Sequence, residues 1–497
     1  MPSETTEQGS AAAVALRFLR DKTWLVLGWS ALAAVPCFWH RRIEAGDLGS
    51  HVYNAWLAQL IAHGQAPGLY IARQWTNLLF DVSLLRVANL FGFAAAEKIV
   101  VCVCVLTFFW GVFAFVSAVT GRPPWFLAPA IAMLAYGYSF SMGFLNYYLS
   151  IGLACASLAL LWRSWKGNWL AALLFAGLAF VAHPLGFVWL AGTVTYCSIR
   201  RTVPGWWKAL APLGVVSFFV ALHWYLHRRA DMGVDWGDIP FYLSNGADQF
   251  ALYGQRYTTL AGLAVAFSIL LTVVGSLRRN DHFSWNALVL SVELYLIAFC
   301  GTALLPENLR VSIYAAWIGL LVSRLTVISA ILGLCVMGCC KPRAWHLVGF
   351  AGLAAVFFSF LYQDTAALNY LETNAESVLS GLPYGTRVIP TIFADPEWRI
   401  EFIAHVADRA CIGRCFTYSN YEPSSRQFRV RARKGSPIAT DSSDDSEDMQ
   451  AGAYEIQETD PPLKQLYQCD RSDWTKLCLR DIVEGDNTGQ AGFHPAR

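Results

Sequence analysis

Long apolar runs separated by short polar or charged breaks fill this chain from residue 23 to residue 362. Backbone amides inside a bilayer have no water to bond, so an apolar run of about 17–25 residues reads as a helix that satisfies its own backbone while crossing. About eleven such runs are expected, at 23–40, 98–119, 124–141, 145–163, 168–182, 184–199, 206–226, 258–276, 285–305, 320–340 and 344–362. The runs meeting at His183-Pro184 read either as two short spans or as one span with a re-entrant turn, whereas Pro306 and Pro123-Pro124 mark cleaner breaks. The first run has no small-residue cleavage site, which predicts a retained span behind a cytoplasmic segment, 1–22.

Two stretches depart from this pattern. In the first loop, 41–97, apolar positions recur at helical spacing, first Val52, Ala55, Trp56 and Leu60, then Leu78, Leu79, Val82, Leu85 and Ala88. That periodicity predicts two amphipathic helices in the membrane interface, joined through Gln65-Ala66-Pro67-Gly68. Beyond the last span, 363–497 reads as a small α+β domain with strand-like runs at 387–391 and 427–432. Its acidic, serine-containing stretch within 436–452 reads as a solvated, disordered loop.

Composition agrees with a membrane domain. Of 497 residues, 56% are hydrophobic and 14% charged, and the mean hydropathy is +0.40, values that do not fit one soluble core. The expected fold class is therefore a polytopic α-helical membrane protein with a C-terminal α+β domain. A formal net charge of +2 argues against a nucleic-acid partner. Basic residues collect in alternate loops, at Arg122, at Arg163 and Lys166, at Arg200, Arg201 and Lys208, at Arg278 and Arg279, and at Lys341 and Arg343. The positive-inside bias then puts the N-terminus in the cytoplasm, although Arg41, Arg42, Arg228 and Arg229 run against it. The first loop and the C-terminal domain face outward, to the periplasm if the membrane is a bacterial inner membrane.

On that topology the outer face gathers Glu44, Asp47 and His51, then Tyr138, Asn146 and Tyr147, then His183, then Asp231, Asp235, Trp236 and Asp238, and finally Glu307 and Arg310. Asp47 stands out, because Gly46 and Gly49 allow a tight turn that presents its carboxylate at head-group level. Such a carboxylate suits general-base work on an acceptor hydroxyl, with His51 one helical turn on to orient it or to contact a phosphate. An N-cap role for Asp47 at a helix starting near Leu48 is the plainer alternative. Arg324 lies inside the tenth run, where an unpaired charge is costly. It reads as a contact to a ligand phosphate or as a snorkelling cation, with Glu293 as a structural partner.

Nine of the 13 cysteines fall in apolar runs and read as small buried hydrophobes. Cys411, Cys415, Cys469 and Cys478 lie in the C-terminal domain, and an oxidising compartment favours local disulfides whose pairing the spacing leaves open. No H-E-x-x-H motif occurs and no cofactor is expected, although a divalent metal is not excluded.

The stretch Glu44-Ala45-Gly46-Asp47-Leu48-Gly49-Ser50-His51-Val52-Tyr53, behind a first span and within a long outer loop, resembles the GT-C superfamily of integral-membrane glycosyltransferases. Phe144-Leu145-Asn146-Tyr147-Tyr148 and Ala182-His183-Pro184 also look like segments of uncharacterised bacterial membrane proteins of this type. The resemblance covers the architecture of roughly 20–362 and implies that Asp47 is the catalytic acidic residue. It further implies inverting transfer of a sugar from a polyprenyl-phosphate-linked donor to an envelope glycan, lipid or protein acceptor. The expected site is then Asp47, His51 and Glu44 for catalysis, with Arg324, Arg310, His183, Asn146 and Tyr147 on the donor. The alternative from another class is a non-enzymatic membrane anchor for assembly or export of an envelope polymer.

Overall fold

The computed structural model describes residues 21–163, 168–228, 233–237, 244–276, 285–310, 317–393, 397–400, 403–470 and 472–489. Asp231 and Asp238, Arg229, Arg278 and Arg279, and Lys166 lie outside them. The first half of the chain runs through α1 (Thr23–Ala34), α2 (Leu48–Ala62), β1 (Leu69–Ile71), α3 (Leu79–Phe91), α4 (Phe93–Thr120), α5 (Ala128–Ala135), α6 (Tyr138–Ser141), α7 (Leu145–Arg163), α8 (Trp169–Ala182), α9 (Pro184–Thr202) and α10 (Trp207–Arg228). There follow β2 (Val234–Asp235), α11 (Gln255–Ser276), α12 (Trp285–Leu304), β3 (Asn308–Arg310), β4 (Trp317–Ile318), α13 (Leu321–Gly338) and α14 (Ala344–Leu379). The C-terminal domain adds β5 (Thr386–Thr391), α15 (Asp408–Cys411), β6 (Cys415–Thr417), β7 (Val430–Ala432), α16 (Ser443–Ala451), β8 (Leu463–Gln468) and β9 (Leu477–Ile482).

Among the described residues, 7 helices are long and apolar enough to cross a membrane, namely α4, α7, α10, α11, α12, α13 and α14; α1 with the turn after it, and α8, are apolar but shorter. The run at 124–141 is not one continuous helix. Gly137 is extended (ψ −172°) and separates α5 from α6. This break is buried among other helices, where irregular backbone is tolerated because protein groups replace the missing bonds. Ser141 O accepts from Gly46 N at 2.7 Å and Met142 O from Asp47 N at 3.0 Å. The first loop is thereby docked on the end of α6. Glycine is required on both sides of that contact, since a Cβ on Gly46 would meet Met142 O at 2.6 Å and one on Gly143 (φ +79°) would meet Asp47 N at 2.4 Å.

The two helices expected in the first loop are present as α2 and α3, but α2 is buried along almost its whole length rather than lying on the interface. What covers it is the C-terminal domain. That domain is built on a four-stranded sheet of order β6-β5-β8-β9, with β5 parallel to both neighbours and β8 antiparallel to β9. Its β7 leaves the sheet and pairs antiparallel with β1, Leu69 facing Ala432. The acidic stretch is helical rather than disordered. Ser442 caps α16 by accepting from Asp445 N, Asp444 and Asp445 sit in its first turn, and Gly452 ends it in the left-handed conformation. Met449 then anchors α16 in a core with Ile389, Ile456, Leu463 and Ile482. The disulfides are local, Cys411–Cys415 and Cys469–Cys478. Thiol alkylation before and after reduction should therefore count 9 accessible cysteines in the unfolded oxidised chain and 13 in the reduced one; an equal count in both states would contradict the bridges.

Helix α14 has 36 residues, about 54 Å of helix against a hydrocarbon core of about 30 Å. Its final turns stand outside the bundle and carry Glu372 and Glu376. There Arg409 of the C-terminal domain reaches three carboxylates, Glu44 at 3.0 Å, Glu97 at 3.0 Å and Glu372 at 2.5 Å, and all four side chains are at most 5% exposed. Arg42 joins the group through Glu372 at 3.3 Å and Glu376 at 2.6 Å. Removing one partner from a buried ionic cluster strands the others, at a cost of about 3–5 kcal/mol. Arg409→Met should lower the melting temperature of the purified protein and open the 380–385 connection between α14 and β5 to protease; an unchanged melt with intact resistance would show that the cluster does not hold the domain down.

Candidate functional site

Asp47 occupies the N-cap position of α2, yet its side chain makes no capping hydrogen bond. Its carboxylate remains 19% exposed and faces His405 instead, with Oδ1 at 3.7 Å from Nε2. The opposite ring nitrogen of His405 is 2.8 Å from Asp408 Oδ2, and both side chains of that pair are at most 3% exposed. Burial by itself lowers the pKa of His405, but its hydrogen bond to Asp408 and the charges of Asp408, Asp47 and Glu422 outweigh that and raise it. A histidine fixed by a buried carboxylate therefore confronts a partly solvated one. The three groups lie in a line, Asp408, His405, Asp47, in which only the last is open to a ligand.

His51 projects one turn further along α2, and its partner is not Asp47. Its Nδ1 is 2.7 Å from Asp81 Oδ1 of α3, while Asp81 Oδ2 accepts from Asn146 Nδ2 at 2.7 Å, and Asn146 Oδ1 accepts from Phe80 N at 2.9 Å. Burial lowers the pKa of His51, but the charge and hydrogen bond of Asp81, with smaller contributions from Glu422 and Asp47, push it up to about 10. Glu422, buried beside Asn54 at 2.7 Å, is pushed up to about 7, chiefly by burial.

A third cluster surrounds Arg324 in the first turn of α13. Its guanidinium lies 4.1 Å from the centre of the Phe144 ring, its carbonyl accepts from Tyr147 Oη at 2.9 Å, and Tyr147 packs edge-on against His183 at 5.4 Å. His183 also caps α9 by accepting from Leu185 N. Glu293 does not serve Arg324; it binds Arg200 and accepts from Tyr196. The buried Nε of Arg324 has no hydrogen-bond partner.

The segment 142–147 joins these clusters: Gly143 abuts Asp47, Phe144 takes Arg324, Asn146 takes Asp81 and Tyr147 takes Arg324 O. The other candidates fall elsewhere. Glu44 belongs to the Arg409 cluster, where burial and then the charge of Glu372 hold its carboxyl well above the usual carboxylate range. Arg310 is exposed on β3 of a small sheet with β2 and β4. Asp235 accepts from Gly237 N and Asn308, Trp236 stacks on His227, and Glu307 caps the start of α13 through Val322 N and Ser323 N. His405, Asp408, Asp81 and Glu422 were not anticipated. The spacing His405-x-x-Asp408 was the available signal, since three residues place two side chains on one face of a helical turn.

Within the bundle an apolar cavity of about 370 Å³ is bounded by α5, α11, α12, α13 and α14, with Met133, Ile269, Leu334, Phe350 and Leu353 among its walls. Residues 245–247 and Phe250 form its end. Between them Gln249 accepts from Ser139 and donates to Ser323 O and Thr326, so the cavity end is tied to the strand of chain that also carries Gly143 and Phe144. Asp248 bonds Thr326 at 2.6 Å, and its carbonyl accepts from Arg399, whose guanidinium lies over Tyr138 at 4.4 Å. Among the described residues no group of three or more His, Cys, Asp or Glu is placed to hold a metal ion. Comparison with protein-family models, curated proteins and solved structures finds no match.

The raised pKa of His51 sets a pH window. A folded-state value above the unfolded one, about 6.5, contributes stability that is complete below the unfolded value and lost as pH rises through the folded value of about 10. The difference in melting temperature between wild type and His51→Gln should therefore shrink from pH 6.5 towards pH 10; a constant difference across that range would contradict a charged His51–Asp81 pair.

Proposed function

We propose that this protein is an inverting glycosyltransferase that uses a polyprenyl-phosphate-linked sugar at the outer face of a bacterial inner membrane, with Asp47 as general base. The observation that carries this reading is the alignment of an uncommitted, partly exposed Asp47 carboxylate with the buried His405–Asp408 pair. In the proposed step Asp47 takes the proton of an acceptor hydroxyl as that oxygen bonds to the anomeric carbon. The bond from that carbon to the phosphate oxygen breaks, and the lipid phosphate leaves with the electron pair. Arg324, with an unpartnered buried Nε beside Phe144 and Tyr147, is proposed to receive the phosphate, and the apolar cavity of about 370 Å³ to take part of the donor's hydrocarbon. Arg310, on its exposed strand, is left as an outer contact at most.

Eleven passes with the N-terminus inside remain part of this proposal. In support, chain ends assigned to the inner side meet one another, as Arg122 does Gly338 O and Arg201 does Trp162 O. Ends assigned to the outer side do likewise, as Leu78 does Val181 O and His223 does Leu304 O. Two disulfides in the C-terminal domain fit a periplasmic location. A non-enzymatic anchor, the other reading, gives no reason for a partly exposed carboxylate left without a capping role opposite a fixed histidine.

In proteoliposomes supplied with a polyprenyl-phosphate-linked sugar donor and a lipid or glycan acceptor, Asp47→Asn should keep the wild-type melting temperature and lose transfer by about 10²–10⁴-fold, the range of a general base. Wild-type turnover in a folded Asp47→Asn protein would reject Asp47 as the base.

A further inference from the structure

The ribbon formed by β1 and β7 carries a concentration of positive charge that none of the site chemistry uses. Besides Arg429, whose charge acts on Asp81, five cations gather there, Arg73 behind β1 and Arg426, Arg431, Arg433 and Lys434 around β7. Successive strand residues face opposite sides, so Arg431 and Arg433 alternate with Val430 and Ala432, which pack on the hydrophobic core. Arg73, Arg426, Arg433 and Lys434 are exposed, and Arg431 is half-buried. Among the described residues none of the five forms an ion pair. Arg431 donates to the carbonyls of Phe428 and Arg426, Arg433 lies 5.5 Å from the Tyr70 ring and Arg73 lies 4.8 Å from the Trp75 ring. The acidic residues behind the ribbon are already engaged, Asp81 with His51 and Asn146, and Glu422 with Asn54.

The position of the ribbon selects its partner. Residues just past Arg73 are fastened to the end of α8, with Thr76 Oγ1 on Phe180 O at 2.6 Å and Leu78 N on Val181 O at 3.3 Å. Helix α8 is apolar and turns Leu170, Leu173, Leu174 and Phe180 outward at 40–66% exposure, a surface that belongs in hydrocarbon. Where α8 ends, the membrane–water boundary begins, and Trp75 stands there 68% exposed, the usual placement of an interfacial tryptophan. The cations beside it are thus at head-group level, where phosphate is the abundant anion.

We propose that the β1–β7 ribbon is a binding surface for the head groups of anionic phospholipids, which seats the C-terminal domain on the membrane next to α2. A soluble anionic polymer is the competing partner, but it would not account for Trp75 or for the attachment to the end of α8. The proposal is independent of the transferase reading and needs only that α8 be embedded.

The test uses the full-length protein in nanodiscs of phosphatidylcholine alone or with about 30% phosphatidylglycerol, a mimic of an anionic leaflet, read by hydrogen–deuterium exchange of peptides covering 72–78 and 426–436. Phosphatidylglycerol should slow exchange several-fold in these peptides but not in α16, and raised salt should reverse the effect. The triple variant R426Q/R433Q/K434Q should lose the slowing while exchange in α16 stays at its wild-type rate, which shows that the domain remains folded. Equal exchange in the two lipids, or slowing that survives in the variant, would overturn the proposal. So would slowing by an anionic oligosaccharide in neutral discs without any response to phosphatidylglycerol, which would assign the ribbon to a soluble polyanion.

Discussion

One cation surrounded by three buried carboxylates decides how this molecule is assembled. Arg409 comes from the C-terminal domain, Glu44 from the loop after α1, Glu97 from the start of α4 and Glu372 from the C-terminal end of α14. Four separate parts of the chain are therefore fixed at one point, and with them the direction in which Asp47 leaves the loop. Desolvating such a group is costly, and its attraction is regained only when every member is present. The arrangement is accordingly strong evidence for a defined relative position of the parts and weak evidence for net stability. Burial and the charge of Glu372 push the pKa of Glu44 up although two arginines lie near it, and its enclosure in the cluster separates it from the partly exposed Asp47.

From that point the geometry of the site follows. Once the loop 41–47 is clamped, Gly46 and Asp47 bond to the carbonyls released where α6 ends. That irregular stretch between α6 and α7 would be a defect in an isolated helix. Here it supplies the two acceptors that aim α2 at the C-terminal domain, and it begins the segment whose next residues hold Arg324 and Asp81. Apolar helices, first loop and C-terminal domain thus meet through backbone contacts at 141–147 and through ion pairs at Arg409, and the dyad of His405 and Asp408 reaches Asp47 because both attachments are made.

Hydrophobic periodicity made the membrane domain legible, since an apolar run long enough to span has few alternatives. It could not distinguish continuous helices from a run that Gly137 interrupts, because the interruption is compensated by side chains elsewhere, Gln249 accepting from Ser139 N across a separation of 110 residues and Tyr148 donating to Ala135 O. The importance of Asp47 was readable from its flanking glycines, but its partner was not: His405 lies in the domain least like anything with a pattern, and contact between residues so far apart leaves no local trace. Glu44 and Asp47 look equivalent as residues, and only the fold reveals that one is enclosed with an arginine while the other faces solvent. The acidic stretch at 441–448 illustrates the opposite error, in which net charge suggested disorder although Ser442, two N-terminal aspartates and Gly452 form a complete set of helix-end signals.

The central claim is that Asp47 and His405 act as one unit supplied by two parts of the chain. A double-mutant cycle in sugar transfer tests it most directly, using Asp47→Glu and His405→Gln so that residual rates stay measurable. Residues that act together are strongly non-additive, so the double variant should be little slower than the slower single variant. Rate losses that multiply would show that the two residues act independently and would contradict the site described here.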